Sequence, residues 1–305
     1  MSHLEASNLY NVKGLVAVIT GGGSGLGRTM ALTLATNNAS KIFIIGRRED
    51  ALAETVSFAP KDSKTTIIPI QGDVTSQVSL QSAYETIASQ TTHIDLLIVN
   101  SGVLGPPAKI KPNDDGSLPS ISELKDYLWN IPMADFSRVF EVNTTGAYYT
   151  AIAFLPLLDA ANKRRPGPVK NKLSAPLSQI IMTSSIAGYS RRVPFDFAYN
   201  LSKASVNHLV KVLSTSLAEY GIRVNGVAPG LYYSEMSVGG ANFEGDDKGV
   251  SDGSFPTSLI PMTRAGAEED IGGLVLWMAG ASGGYLNGNI TVTDGGRLSV
   301  LQSSY

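Results

Sequence analysis

The chain has 305 residues, 43% apolar and 16% charged, with 31 glycines and 15 prolines, a composition that can bury a core and excludes disordered and fibrous classes. A net charge of −2, from 24 basic and 26 acidic residues, excludes a whole-molecule field that gathers nucleic acid or an anionic membrane, so any anion must be bound locally. Without cysteine there are no disulfides, thiolate catalysis, zinc–cysteine sites or iron–sulfur clusters, and three scattered histidines (His3, His93, His208) make no metal site.

Residues 1–13 are polar and lack the apolar run of a secretory leader, so residues 1–12 read as a short extension. The strongest apolar stretch, 147–158, is broken by Pro156 and falls short of the ~20 residues of a membrane span. A soluble, cytoplasmic protein is expected, with a small-molecule substrate and neither nucleic-acid nor membrane partners.

The first predicted strand, 15–20, runs into Thr20-Gly21-Gly22-Gly23-Ser24-Gly25-Leu26-Gly27, and helical spacing follows in Leu26, Met30 and Leu34. Small residues let the backbone approach a pyrophosphate, whose charge the free N–H groups of a helix start stabilise; the alternative is a tight structural turn. The second strand, 41–46, ends in Gly46-Arg47-Arg48. An acidic residue there would bond a free ribose 2′-hydroxyl, whereas two guanidinium groups suit a 2′-phosphate. NADP(H) is therefore expected, unless Glu49 or Asp50 folds back to favour NAD.

Further apolar runs at 65–70, 94–100, 179–183, 222–227 and 289–293 alternate with helical patterns such as Leu80-Tyr84-Ile87, Phe136-Phe140 and Leu209-Val212-Leu213-Leu217. Runs this continuous are buried on both faces, which predicts a parallel sheet with right-handed crossovers. Length alone fits two domains of ~150 residues, but no linker or repeat divides the chain. The prediction is a single α/β domain, a doubly wound parallel sheet of about seven strands with helices on both faces. Loops are expected at 105–119, 162–176 and 238–258, the middle one a basic, solvated surface.

Tyr199-Asn200-Leu201-Ser202-Lys203 sets a phenol and an ammonium four apart, on one face of a helix. Moving a phenol from ~10 to near neutrality takes about 4 kcal/mol, and an adjacent ammonium acts in that direction. Upstream, the fifth strand ends in Thr183-Ser184-Ser185, placing hydroxyls at a carboxyl strand end, where α/β ligands sit.

With these motifs in order from Lys13 to Gly296, the sequence resembles the short-chain dehydrogenase/reductase family, a Rossmann fold. The resemblance implies that Gly21, Ser24, Gly25, Leu26, Gly27, Arg47 and Arg48 hold the dinucleotide. Asp73-Val74 resembles the adenine-contacting pair, and Asn100-Ser101-Gly102 the Asn-Asn-Ala-Gly turn. Pro229-Gly230 with Ser234 and Met236 resembles the segment that holds the nicotinamide carboxamide, and Thr293-Asp294-Gly295-Gly296 the C-terminal signature. By the same resemblance Tyr199 exchanges a proton with a carbonyl oxygen that Ser185 hydrogen-bonds, Lys203 lowers the tyrosine pKa and holds the ribose, and Asn143 anchors a relay water. The family also implies a homo-oligomer, dimer or tetramer, through the helices of Asn143 and Tyr199.

The Ser185–Tyr199 interval of 14 residues is slightly long for the family, which keeps Ser184 as the alternative serine. The stretch between Asn100 and Asn143 is also long; its Pro106, Pro107, Pro112, Pro119 and Trp129 are expected to border the active-site mouth. His208 reads as packed or solvated, Arg191 and Arg192 as a solvent-facing loop, and Tyr148 and Tyr149 as packing or subunit contacts on a long helix. Residues 231–262 read as a substrate-loop region in which Met236, Phe243, Phe255 and Met262 close over an apolar substrate. The expected activity is NADPH-dependent interconversion of a ketone and a secondary alcohol of a small apolar metabolite. Non-redox chemistry on the same fold (dehydratase, isomerase or cyclase) is the alternative, and cofactor sensing without turnover a third.

Overall fold

Two apolar layers flank a sheet whose strands present alternate side chains to opposite faces. The computed structural model describes all residues except 1, 62–63, 108–115, 194–195, 239–242 and 244–246. Strands β1 (Val16–Thr20), β2 (Lys41–Gly46), β3 (Thr66–Gln71), β4 (Leu96–Val99), β5 (Gln179–Thr183), β6 (Arg223–Pro229) and β7 (Ile290–Thr293) form one sheet in the order β3-β2-β1-β4-β5-β6-β7. Every pairing is parallel. The helices are α1 (Ala6–Leu9), α2 (Gly25–Thr36), α3 (Glu49–Ser57), α4 (Gln77–Ala88), α5 (Ile121–Trp129), α6 (Met133–Phe140), α7 (Ala147–Ala153), α8 (Leu155–Lys163), α9 (Phe197–Ser216), α10 (Glu235–Val238), α11 (Glu268–Ala279) and α12 (Arg297–Val300).

Val16 and Val18 of β1 pack with Phe43, Leu97 and Ile180 against Ala151 of α7 and Val206 and Val210 of α9. Ala17 and Ile19 face the other way, with Ile42, Ile44 and Ile181, onto Met30 and Leu34 of α2, Leu52 of α3 and Val275 of α11. The two-residue period of a strand thus feeds both layers, and burial against them is the main stabilising term. The near-continuous burial expected holds for the inner strands but not for the edges: β3 buries only Ile67 and Ile70, one in each layer, and β7 is half-buried throughout. An edge strand has a neighbour on one side only, which is why β3 tolerates Pro69, a residue with no N–H to donate.

Chain order reverses at β1, where β2 and β3 lie on one side and β4 to β7 on the other. Ligands of open α/β sheets sit at the carboxyl ends of strands flanking such a point. The long helix expected after Asn143 is instead interrupted. A π-helical turn, Glu141–Gly146, separates α6 from α7, and Phe154 with Pro156 at the start of α8 interrupts the run again. The N-terminal extension is pinned rather than free: Val12 is buried, and the Ser282 hydroxyl donates to the Leu9 carbonyl at 3.0 Å.

Candidate active site

A cleft of about 340 Å³ runs along the carboxyl ends of the strands and is lined by the glycine loop, Arg47, Arg48, Asp73, Val74, Asn100–Gly102 (100–102), Ser185, Tyr199, Lys203, Pro229, Gly230, Ser234 and Met236. At its nucleotide end the backbone leaves no room for side chains. A Cβ on Gly27 would stand 2.2 Å from the Gly21 carbonyl oxygen and 2.6 Å from Asn100 Nδ2. Gly21 and Gly25 adopt φ of 67° and 50°, the left-handed region that favours glycine. Ser24 caps α2 in extended conformation, so the first N–H groups of that helix face the cleft without a side-chain partner. Asn100 Nδ2 donates to the carbonyls of Thr20 (3.3 Å) and Gly21 (3.4 Å), tying the end of β4 to the loop. This is a cradle that a dinucleotide pyrophosphate fits: donors, a helix N-terminus and close backbone approach.

Arg47 and Arg48 follow β2 on the same cleft. Arg48 Nη2 donates to the Ser24 hydroxyl at 3.2 Å and to Glu235 Oε2 at 2.7 Å, an exposed ion pair that joins the start of α3 to α10 across the cleft. Asp73 accepts the Thr75 N–H at 2.9 Å and its hydroxyl at 2.8 Å. Those bonds, backbone first, hold its carboxyl below the usual range, with Arg47 and Arg138 adding to the effect.

At the other end, α9 begins at Asp196, whose Oδ1 caps the Tyr199 N–H at 2.5 Å and whose Oδ2 accepts the Gly105 N–H at 2.9 Å. One buried carboxylate thus fixes both the helix that carries Tyr199 and the start of the 105–119 insertion. Ser185 and Ser184 part company. The Ser184 hydroxyl is engaged by the Lys203 carbonyl (3.1 Å) and Asn207 Oδ1 (2.5 Å), whereas the Ser185 hydroxyl, which accepts the Ala187 N–H at 3.1 Å, lines the cleft beside Tyr199 and favours its ionised form. Lys203 is buried, and its Nζ donates to the Thr183 carbonyl at 2.8 Å and lies 5.6 Å from the Tyr199 ring centroid.

The expectation that this ammonium makes the phenol acidic is corrected by the environment. Burial dominates and pushes the Tyr199 hydroxyl up; the Ser185 hydroxyl pulls it down, and the Asp196 charge pushes it up again. The same burial lowers Lys203 to about 8, because a dry interior disfavours whichever form is charged.

Asn143, in the π-helical turn, is 1% exposed and donates to the Val103 carbonyl and the Ser202 hydroxyl, both at 3.0 Å, while accepting the Val103 N–H at 2.8 Å. A Cβ on Gly102 would stand 3.4 Å from Asn143 Oδ1 and 3.5 Å from Lys203 Nζ, so the glycine keeps the space between them open. Asp196, Ser202 and Asn207 were not singled out by sequence reasoning; aspartate three residues before Tyr199 is an N-cap signal that points to the first of them.

Of the 231–262 region, Met236 lines the cleft. Phe255 is a core residue with Leu231, Ile260 and Ala265, Phe243 packs on it at 6.1 Å, and Met262 faces solvent. Phe255 and Met262 thus do not line the cleft, Phe255 packing instead in the cluster with Leu231, Ile260 and Ala265. Val103 and Leu104 line the cleft, while Pro106 lines a second, apolar hollow with Leu128, Ile131, Phe136 and Leu201. Trp129 is exposed beside Lys125, and Pro112 lies outside the described residues. His208, Arg191 and Arg192 are exposed.

The sequence profile described as short chain dehydrogenase matches residues 15–242. The chain is 41% identical over 304 residues to the short-chain dehydrogenase/reductase PhomF of Diaporthe leptostromiformis, covering 99% of this chain and 97% of that one. It is 43% identical over 284 residues to the short-chain dehydrogenase/reductase SAT3 of Stachybotrys chartarum, covering 90% and 100%. Among solved structures it is similar to the Pseudomonas aeruginosa RhlG/NADP active-site complex, with a TM-score of 0.74, 26% identity and coverage of 94% and 98%.

Proposed function

Because this chain belongs to the short-chain dehydrogenase/reductase family, and so is an oxidoreductase that uses a nicotinamide cofactor, we propose that it is an NADPH-dependent reductase of a ketone on a small metabolite. The observation that carries the reading is one cleft with a paired-arginine end at Arg47 and Arg48 and a Tyr199–Ser185–Lys203 end. When bound, the dinucleotide supplies the hydride.

The chain's own residues do the rest. The glycine loop and the start of α2 stabilise the pyrophosphate charge, and Arg47 and Arg48 offer planar donors to a 2′-phosphate. Asp73, Val74, Asn100, Ser101, Gly102, Pro229, Gly230, Ser234 and Met236 line the floor and lip that hold the rest of the cofactor. Tyr199 gives its proton to the carbonyl oxygen, and a phenol pushed up by burial is kept protonated for that step. Ser185 donates a hydrogen bond to the same oxygen and stabilises its growing charge. Lys203, at about 8, is a proton source near neutral pH, and Asn143 anchors a water in the space that Gly102 leaves open between them. The similar RhlG structure is a complex with NADP, which supports the phosphorylated cofactor.

Self-association through the faces of α6, α7 and α9 belongs to the same reading; exposed Met133, Tyr148, Tyr149 and Leu201 support it, and sedimentation at working concentration tests it. For the activity, NADPH consumption with a ketone panel is the measurement, together with the dissociation constants of NADPH and NADH. Tyr199→Phe is expected to abolish reduction and leave NADPH binding intact. Equal affinity for the two cofactors would refute the arginine reading, and product formation without NADPH consumption would move the chemistry to the non-redox class.

A further inference from the structure

The substrate end of the cleft contains a cation with no partner among the described residues. Arg297, the first residue of α12, lines the cleft together with Leu301, Ser190 and Tyr199. Its Nε is buried without a hydrogen-bond partner, and its guanidinium makes no ion pair or side-chain hydrogen bond with any described residue. Asp294 is the acidic group whose charge it feels. That carboxylate is already engaged, accepting the Gly296 N–H at 2.9 Å and the Leu298 N–H at 2.7 Å. A buried donor without an acceptor is unfavourable, so an unpaired guanidinium facing a cleft is a position kept for a ligand.

Topology says which ligand. Arg297 follows β7, whereas Arg47 and Arg48 follow β2, and β1, β4, β5 and β6 intervene. Five inter-strand steps of ~4.8 Å put the arginines' strand ends about 24 Å apart, so Arg297 serves the side opposite the 2′-phosphate end. From β5, whose end carries Ser185, two such steps are about 10 Å, within reach of a small substrate once the arginine side chain extends.

The C-terminal tail fixes this placement. Ser303 bridges Ser190 in antiparallel fashion, the Arg191 N–H donates to the Gln302 carbonyl at 2.7 Å and the Ser304 N–H to the Tyr189 carbonyl at 2.8 Å, while Tyr305 packs edge-on against Tyr189 at 5.2 Å. The tail is thereby sewn to the long segment between Ser185 and Tyr199, and Leu301 becomes part of the cleft wall.

We infer that Arg297 is a specificity-determining residue that binds a carboxylate on the substrate, so that the metabolite reduced here is a keto acid whose apolar portion lies against Leu301. The inference rests on the reading of this cleft as a reductase site and narrows it from an apolar ketone to an amphipathic one. A guanidinium fork matches a carboxylate with two parallel hydrogen bonds.

The matched probes 4-acetylbenzoate and methyl 4-acetylbenzoate test it, by calorimetric titration with and without NADP+ and by NADPH-dependent turnover. The wild type is expected to bind the acid at least about tenfold more tightly than the ester, equivalent to about 1.4 kcal/mol. R297M should lose that preference through weaker acid binding and a raised KM for the acid, and R297K should keep part of it. Equal binding of acid and ester by the wild type, or an undiminished preference in R297M, overturns the inference, and the wild-type comparison stands even where R297M fails to fold. Acid preference in titration without turnover of any ketone would sustain the anion site and sink the reductase reading instead.

Discussion

Asp196 offers a direct measure of how much one buried carboxylate contributes to the site. In Asp196→Ala the α9 cap and the bond to Gly105 disappear together. A lost N-cap costs about 1–2 kcal/mol and a lost hydrogen bond to a charged acceptor about 1.5–3, so about 3–5 kcal/mol in all. At ~2.1 cal/mol/K per residue over 305 residues, Tm should fall by about 5–8 °C. Asp196→Asn keeps one acceptor and should lose roughly half as much, but it removes the negative charge that pushes the Tyr199 hydroxyl up. The alkaline limb of the reduction rate, where Tyr199 loses the proton it must donate, is then expected to move to lower pH. Scanning calorimetry and a pH–rate profile of the two variants check both halves. A Tm within about 2 °C of wild type for the alanine variant, or an alkaline limb unmoved in the asparagine variant, would falsify the dual role.

Lys203 sits at about 8 in the folded protein against an ordinary 10.5, so between those values the unfolded chain binds the extra proton and stability rises with pH. At ~1.36 kcal/mol per pH unit this is worth about 3 kcal/mol. Thermal melts from pH 8 to 10.5 should show that rise in the wild type relative to Lys203→Met, and parallel curves would count against it. Glu235→Gln releases Arg48 from an exposed ion pair of ~0.2–1 kcal/mol. NADPH binding at low salt should tighten by about 1.4- to fivefold with NADH unchanged; equal gains for both cofactors would refute the link to the 2′-phosphate. Gly27→Ala drives a Cβ into the Gly21 carbonyl and Asn100, so cofactor titration should show binding lost, and a variant with normal affinity would show that the loop yields.

The Tyr199–Lys203 pairing and the glycine loop were legible because their geometry is local. Four residues along α9 bring Tyr199 and Lys203 to one face, and a glycine run between a strand and a helix has few uses. The Ser184 and Ser185 alternatives were not separable in sequence, since both end the same strand; the packing of Lys203 and Asn207 against one hydroxyl separates them. The π-helical turn at Asn143 left no sequence signal, because one extra residue per turn alters no periodicity over so short a span.

By itself the sequence determined the strand and helix alternation, which follows from neighbours a few positions apart, and the family, which follows from the order of its motifs along the chain. Tertiary structure alone decided what depends on distant segments meeting: the Arg48–Glu235 pair, Arg297 in the cleft and the tail against Tyr189. It also decided the direction in which Tyr199 is shifted, because the ammonium nearby is a feature of the sequence while the loss of water around the phenol exists only once the sheet, α9 and the loops close around it.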